Sequence, residues 1–181
     1  MTFNPQPKLN GTLLELRPLS PSDFDSLYAV ASDPLMWEMH PAKDRYQLEV
    51  FKKFFEDAIQ GGSAFLVSDK KKGTTIGCTR YYDLNLEKSE VCIGFTFLSR
   101  AYWGSAYNLE MKKLMVAHAL KSVKNIIFHV GPKNLRSRRA VEKLGAVFVE
   151  YVEKLHPLPA GGWSDGVIYK LDEVSARKLI S

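Results

Sequence analysis

The sequence predicts a mixed α/β fold, a mostly antiparallel sheet with helices on both faces. Two patterns carry that prediction. Strand-like runs at residues 64–68, 74–82 and 90–98 follow one another through the turn sequences DKKKG and DLNLEKS, which makes an antiparallel meander. After the meander, helical and strand patterns alternate, and parallel neighbours in a sheet need helical crossovers. No repeat or linker breaks the 181 residues, so one domain spanning 1–181 is expected, large enough to bury a core without disulfide or metal.

In chain order, residues 12–19 (TLLELRPL) alternate as a half-buried strand does. Ser20-Pro-Ser-Asp23 then supplies helix-start chemistry for a helix reaching residue 32, where Asp33-Pro34 stops it. In residues 43–60, Leu48, Phe51, Phe54, Phe55, Ala58 and Ile59 recur with a helical period, and Gly61-Gly62 suits a left-handed cap. Beyond the meander come a helix over 105–121, a strand over 125–130, a helix over 134–144 ended by Gly145, and strands near 146–155 and 167–171. The intervening HPLPAGGWSDG is rich in Pro and Gly and reads as an irregular loop. The predicted order is βααβββαβαββ.

An apolar fraction of 45% and a charged fraction of 25% are near the globular average. No run approaches the roughly 18 apolar residues of a membrane span, and MTFNPQPKLNG lacks the regions of a signal peptide, so a cytoplasmic protein is expected. Cys78 and Cys92 lack CxxC spacing and are expected as buried free thiols, with no disulfide and no metal. The net charge of +5 fits nucleic acid, an acidic partner or a phosphorylated cofactor equally well. The glycine turn in Arg100-Ala-Tyr-Trp-Gly-Ser-Ala106 precedes a helix, and Asn134-Leu-Arg-Ser137 opens another. Unpaired N–H groups at such helix starts favour an anion such as pyrophosphate. Neither a P-loop Gly-Lys-Ser/Thr nor a Gly-x-Gly-x-x-Gly occurs, which argues against NTPase and dinucleotide readings.

In order along the chain stand Trp37-Glu-Met-His-Pro41 with Asp44-Arg-Tyr46, Arg80-Tyr-Tyr82, Ile93-Gly-Phe-Thr-Phe-Leu98, Tyr102-Trp-Gly104, Tyr107-Asn-Leu-Glu-Met-Lys112, and Asn134-Leu-Arg-Ser137 with Ala140-Val-Glu-Lys-Leu-Gly145. Together they resemble the GNAT acyl-CoA transferases, in the branch similar to ribosomal-protein N-terminal acetyltransferases. The resemblance implies a sheet splayed between the strands at 90–98 and 125–130, with acetyl-CoA in the gap. It carries cofactor contacts onto Phe95, Thr96, Phe97 and Leu98 through their main chain, and a pyrophosphate loop onto Arg100, Trp103, Gly104, Ser105 and Ala106. Ala101 stands where the usual motif has Gln or Arg. Ser105 is expected to cap the following helix. Asn134 is expected as N-cap and cofactor ligand, while Arg138 and Arg139 read either as contacts to the 3′-phosphate or as solvated surface.

Acyl transfer to an amine needs a deprotonated nucleophile, a donor to the carbonyl oxygen and a proton for the leaving thiolate. The resemblance assigns Ser137 as acid, against its plain reading as a first-turn helix serine. Cys92 occupies the position where many relatives carry the catalytic glutamate, leaving Glu90 to act through water or to stand as an edge carboxylate. Trp37, His40, Arg45, Arg80 and Tyr82 form the expected acceptor pocket, suited to a carboxylate or peptide terminus. His129 on an apolar strand reads as a core histidine. The implied function is acetyl-CoA-dependent acetylation of a primary amine by direct transfer, on a protein N-terminal α-amine or alternatively on a small amine, amino acid or antibiotic, by a monomer or homodimer. A catalytically silent CoA-sensing or nucleic-acid-binding domain is the reading of another class; no nucleic-acid or membrane partner is expected.

Overall fold

The computed structural model describes residues 3–181. Its strands are β1 (Leu9–Asn10), β2 (Leu14–Pro18), β3 (Ala64–Asp69), β4 (Thr74–Asn85), β5 (Glu90–Leu98), β6 (Asn125–Val130), β7 (Val147–Pro157) and β8 (Trp163–Leu171). Helices α1 (Phe24–Ala31) and α2 (Leu48–Gln60) precede β3, α3 (Tyr107–Ala119) and α4 (Leu135–Glu142) flank β6, and α5 (Glu173–Ile180) follows β8. The strands form one sheet in the order β1-β2-β3-β4-β5-β6-β8-β7. Every neighbouring pair is antiparallel except β5 and β6, whose parallel relation is made by the α3 crossover.

The sheet carries a core on each face. In β3, Phe65 and Val67 join one core while Ala64 and Leu66 join the other, so an unbroken apolar run is what a strand covered on both sides requires. The first core packs under α3, α4 and α5 through Met111, Met115, Val141 and Ala176. The second packs under α1 and α2 through Leu27, Phe51, Phe54, Phe55 and Ala58.

One irregularity in β5 shapes everything nearby. Cys78 pairs with Phe97 and Arg80 with Gly94, so two residues of β5 oppose one of β4, and Phe95 takes a left-handed φ of 50°. The extra residue reverses the alternation: Val91 and Ile93 face the first core, but Phe97 faces the second. Without the bulge, Phe97 would point to the face that Ile93 occupies.

Several boundaries differ from the sequence prediction for local reasons. Residues 20–32 begin with a 3-10 turn, Pro21–Asp23, closed by a reciprocal Ser20–Asp23 capping box, before α1 starts. The helix expected from residue 43 starts at Leu48, after an extended Gln47. The loop expected over 156–166 shrinks, because Pro157 pairs with Trp163 and His156 with Ser164. Its Gly161 and Gly162 provide the positive φ values of the turn. β1 and α5 had no counterpart in the prediction, although Asp172, accepting from the Ser175 N–H at 2.8 Å, is an N-cap signal for α5.

Candidate active site

β5 and β6 pair only at Glu90–Asn125, Val91–Ile126 and Cys92–Ile127. From Ile93 and Phe128 onward the two strands part, leaving backbone groups that no neighbouring strand takes up. A cavity of about 620 Å³ opens in and around that gap. At its bulge the Thr96 hydroxyl lies 2.8 Å from that of Thr79 and accepts from the Lys112 ammonium at 2.7 Å. Lys112 is buried inside α3's packing face, and burial brings its pKa down to about 7.

Of the residues predicted to hold a cofactor, Phe95, Thr96, Phe97, Leu98, Trp103, Gly104 and Asn134 line this cavity. The loop that carries Trp103 is braced from several sides. The indole Nε1 donates to the Leu98 carbonyl at 2.9 Å, and the hydroxyls of Tyr102 and Tyr107 both donate to Asp69 Oδ2 at 2.9 and 3.0 Å. Gly104 turns there with φ of 70°. Asn134 caps α4 by accepting from the Ser137 N–H at 3.2 Å, while Ser137 lines the cavity on the helix's first turn.

Four of the residues predicted to contact the cofactor are not among those lining the cavity. Arg100 is ion-paired through Nε with Asp33 outside the cavity lining. Arg138 donates to the Tyr169 hydroxyl at 2.9 Å and to the Pro132 carbonyl at 3.2 Å, which commits it to the α4–β8 packing. Ser105 and Ala106 are exposed beyond Gly104, and the helix begins one residue later than a Ser105 cap requires, with Ala106 as N-cap. Ser105 instead donates to the Tyr102 carbonyl at 2.5 Å and accepts from the Tyr107 N–H at 3.4 Å. On the first turn of α4 it is Arg136 that reaches the cavity; its guanidinium sits 3.6 Å over the Trp103 ring and donates to the Met36 carbonyl at 3.1 Å. Sequence reasoning passed over it, although its place in Asn134-Leu-Arg-Ser137 put it on the same first turn as Ser137.

All five predicted acceptor-side residues line the same cavity. Trp37 is buried and donates to the Ala31 carbonyl at 2.8 Å, fixing the loop after α1. His40 Nδ1 accepts from the Ala42 N–H at 2.9 Å, so the neutral ring carries its proton on Nε2. Burial, and next the charge of Arg45, bring His40 down to about 3 and keep it neutral. Arg45 stacks 4.6 Å over Phe54 and Arg80 3.4 Å over Phe95. Burial, and next Arg80, lower Arg45 to about 10. Tyr82 stands edge-on to Phe95 at 5.0 Å and to His129 at 5.7 Å.

Glu90 does not reach the cavity; it sits at the closed end of the splay, opposite Asn125. Burial, and then Asp83 and Glu90, push the Cys92 thiol up to about 12, so at neutral pH it is neither base nor thiolate. His129, by contrast, borders the cavity. Its Nδ1 is unpartnered, its Nε2 lies 3.9 Å from Cys92 Sγ, and the His156 ring is 5.2 Å away. Burial, and next the neighbouring His156, lower the His129 pKa and leave a neutral imidazole at pH 7. An apolar strand run gives no sign that one of its residues borders a gap, which is why the sequence alone reads His129 as core.

Residues 14–147 match the model of the acetyltransferase (GNAT) domain. Among curated proteins, none matches the chain in sequence. Solved structures with the same fold include a GCN5-related N-acetyltransferase from Brucella melitensis, 17% identical over 99% of this chain and 84% of that one, with a TM-score of 0.86. Spermidine N-acetyltransferase from Vibrio cholerae, in complex with CoA and spermine, is 13% identical over 92% and 99%, with a TM-score of 0.70. Mycobacterium smegmatis RimJ in complex with CoA-disulfide is 15% identical over 92% and 88%, with a TM-score of 0.69. The splayed sheet and the family match lead to one conclusion: the chain belongs to the GNAT acetyltransferases, enzymes whose cosubstrate is acetyl-CoA.

Proposed function

We propose that this acetyltransferase acts on a primary amine, a protein N-terminal α-amine first, by direct transfer within a ternary complex. One observation carries the reading: the glycine turn suited to phosphate and the aromatic, cation-rich acceptor pocket border a single cavity that runs through the gap between β5 and β6. Acetyl-CoA supplies an activated acyl thioester. Gly104 and the free N–H groups at the start of α3 would hold its phosphates, and the free edge of β5 from Phe95 to Leu98 its amides. Arg136, stacked on Trp103, adds a cation beside that turn.

Placement in the cavity supports two proton roles. Ser137 presents a hydroxyl inside the cavity on the first turn of α4, a proton donor for the departing sulfur. His129, a neutral imidazole bordering the cavity, is the base for the amine. The extra residue of the β5 bulge leaves N–H groups that the ladder does not use, as donors toward a carbonyl oxygen. Cys78, like Cys92, is pushed up to about 12 by burial. Neither thiol is a nucleophile at neutral pH, which favours direct transfer over a covalent route.

Calorimetry with acetyl-CoA, followed by thiol release with a panel of amines, tests the reading. Absence of binding overturns it, and binding without turnover on any amine favours a silent CoA-binding domain. His129→Gln should lower kcat at pH 7 roughly 100-fold with acetyl-CoA affinity kept; an undiminished kcat removes it as the base.

A further inference from the structure

We infer that the acceptor carries a carboxylate near its amine, and that Arg45 and Arg80 form the site that holds it. The inference rests on the acetyltransferase reading above and names its substrate class. Arg45 is 8% exposed, and both guanidiniums stack on the same ring, Phe54, with centroid distances of 4.6 and 5.6 Å. A buried cation and a half-buried one thus share the ring of Phe54. Among the described residues, no carboxylate lies within ion-pair distance of either, and the Nε of each is buried without a hydrogen-bond partner. Like charges in a low-dielectric site repel, and an unpaired buried cation is among the costliest groups a fold can keep.

A third donor points the same way. With Nδ1 of His40 committed to Ala42, the Nε2–H faces Nη1 of Arg45 at 3.5 Å, donor against donor. An acceptor placed among these groups would satisfy all of them. Planar guanidinium forks match a carboxylate with two parallel hydrogen bonds, which a lone ammonium cannot do. One carboxylate, Asp57, lines the cavity, and it forms no ion pair with either arginine. The position is also apt. Arg80 lies 3.4 Å over Phe95, the bulge residue, about 10 Å along β5 from the strand end that leads to the Gly104 turn. The anion thus sits at the acyl-transfer end of the gap. A polyamine, cationic throughout, would meet repulsion from Arg45, Arg80 and the nearby Lys53.

The carboxylate has two sources, a free amino acid or an acidic first residue of a peptide. Binding is read first, by calorimetry of the CoA-loaded protein with N-acetylglutamate and with N-acetylglutaminamide. The acid should bind roughly 10- to 100-fold tighter, and both Arg45→Lys and Arg80→Gln should bring that ratio close to one. Retained CoA affinity shows that each variant is folded, and Arg80→Lys serves where Arg80→Gln is not. Equal binding of acid and amide in the native protein, or a ratio unmoved in the variants, overturns the inference. Thiol release then separates the sources: glutamate against a C-terminally amidated peptide beginning with Glu, its Gln counterpart and spermidine. A preference for spermidine or for the Gln peptide also overturns it. If acetyl-CoA binds but no amine is acetylated, the transferase reading falls, while the calorimetric ratio still decides the carboxylate site.

Discussion

Ser137 and His40 show how differently single side chains use one cavity. Ser137→Ala removes the hydroxyl that the first turn of α4 presents to the cavity, so turnover should fall about 100-fold while acetyl-CoA affinity, measured by calorimetry, stays nearly level. An equal loss in both would reduce Ser137 to a binding residue. His40 matters to stability through its proton. Its folded pKa, about 3, lies below the ~6.5 of an unfolded chain, so the unfolded state takes up a proton first as pH falls. Stability from this group is present above pH ~6.5 and is lost as pH drops toward 3. Between pH 7 and 5 the loss should reach up to about 2 kcal/mol, less the share that water at the cavity edge restores. Urea unfolding at both pH values checks it, and His40→Gln should flatten the difference. At this scale the grouping of Trp37, His40 and Arg45 along one cavity was legible because they sit close together in sequence. Which of Arg136 and Arg138 faces the cavity was not legible, because neighbours on a helix start point in different directions and only α4's packing on β8 chooses between them.

Gly104 and the β5 bulge are element-scale devices, since each sets the path of a segment. A Cβ on Gly104 meets nothing within 4 Å, so a substitution there costs backbone strain alone. Gly104→Val should weaken acetyl-CoA binding about tenfold in calorimetry, from strain of ~1–2 kcal/mol, whereas Gly104→Asn, which tolerates the left-handed region, should bind nearly as the native protein does. Similar losses in both would place the defect in ligand contact and not in conformation. Strands β3, β5 and β6 were readable because buried on both faces they are continuous apolar runs. β7 was read near 146–155 but its end at Pro157 was not, because its side chains are mostly exposed and carry little alternation to mark where pairing stops. The bulge was equally hidden: nothing in Gly-Phe-Thr-Phe says which residue is extra until β4 lies alongside.

Across the whole molecule, the sheet's two halves are joined along β5 and β6 by three residue pairs. A ligand lodged in that gap binds the folded state and not the unfolded one. At a CoA concentration 100 times its Kd, stability should rise by ~2.7 kcal/mol and Tm by roughly 5–10 °C. Scanning fluorimetry reads this directly, and an unmoved Tm would show that CoA does not enter the gap. Hydrophobic period, turn residues and the order of motifs determined the meander, the crossover helix and the phosphate-suited turn, because these are local patterns that any single stretch of chain displays. Tertiary structure alone decided where the strands part, which arginine of the α4 start enters the cavity, that His129 and not Glu90 borders it, and that Arg45 and Arg80 both line it without an ion-paired carboxylate. Those outcomes depend on pairing register and burial between segments distant in sequence, and charge compensation across such distances leaves no mark on either segment by itself.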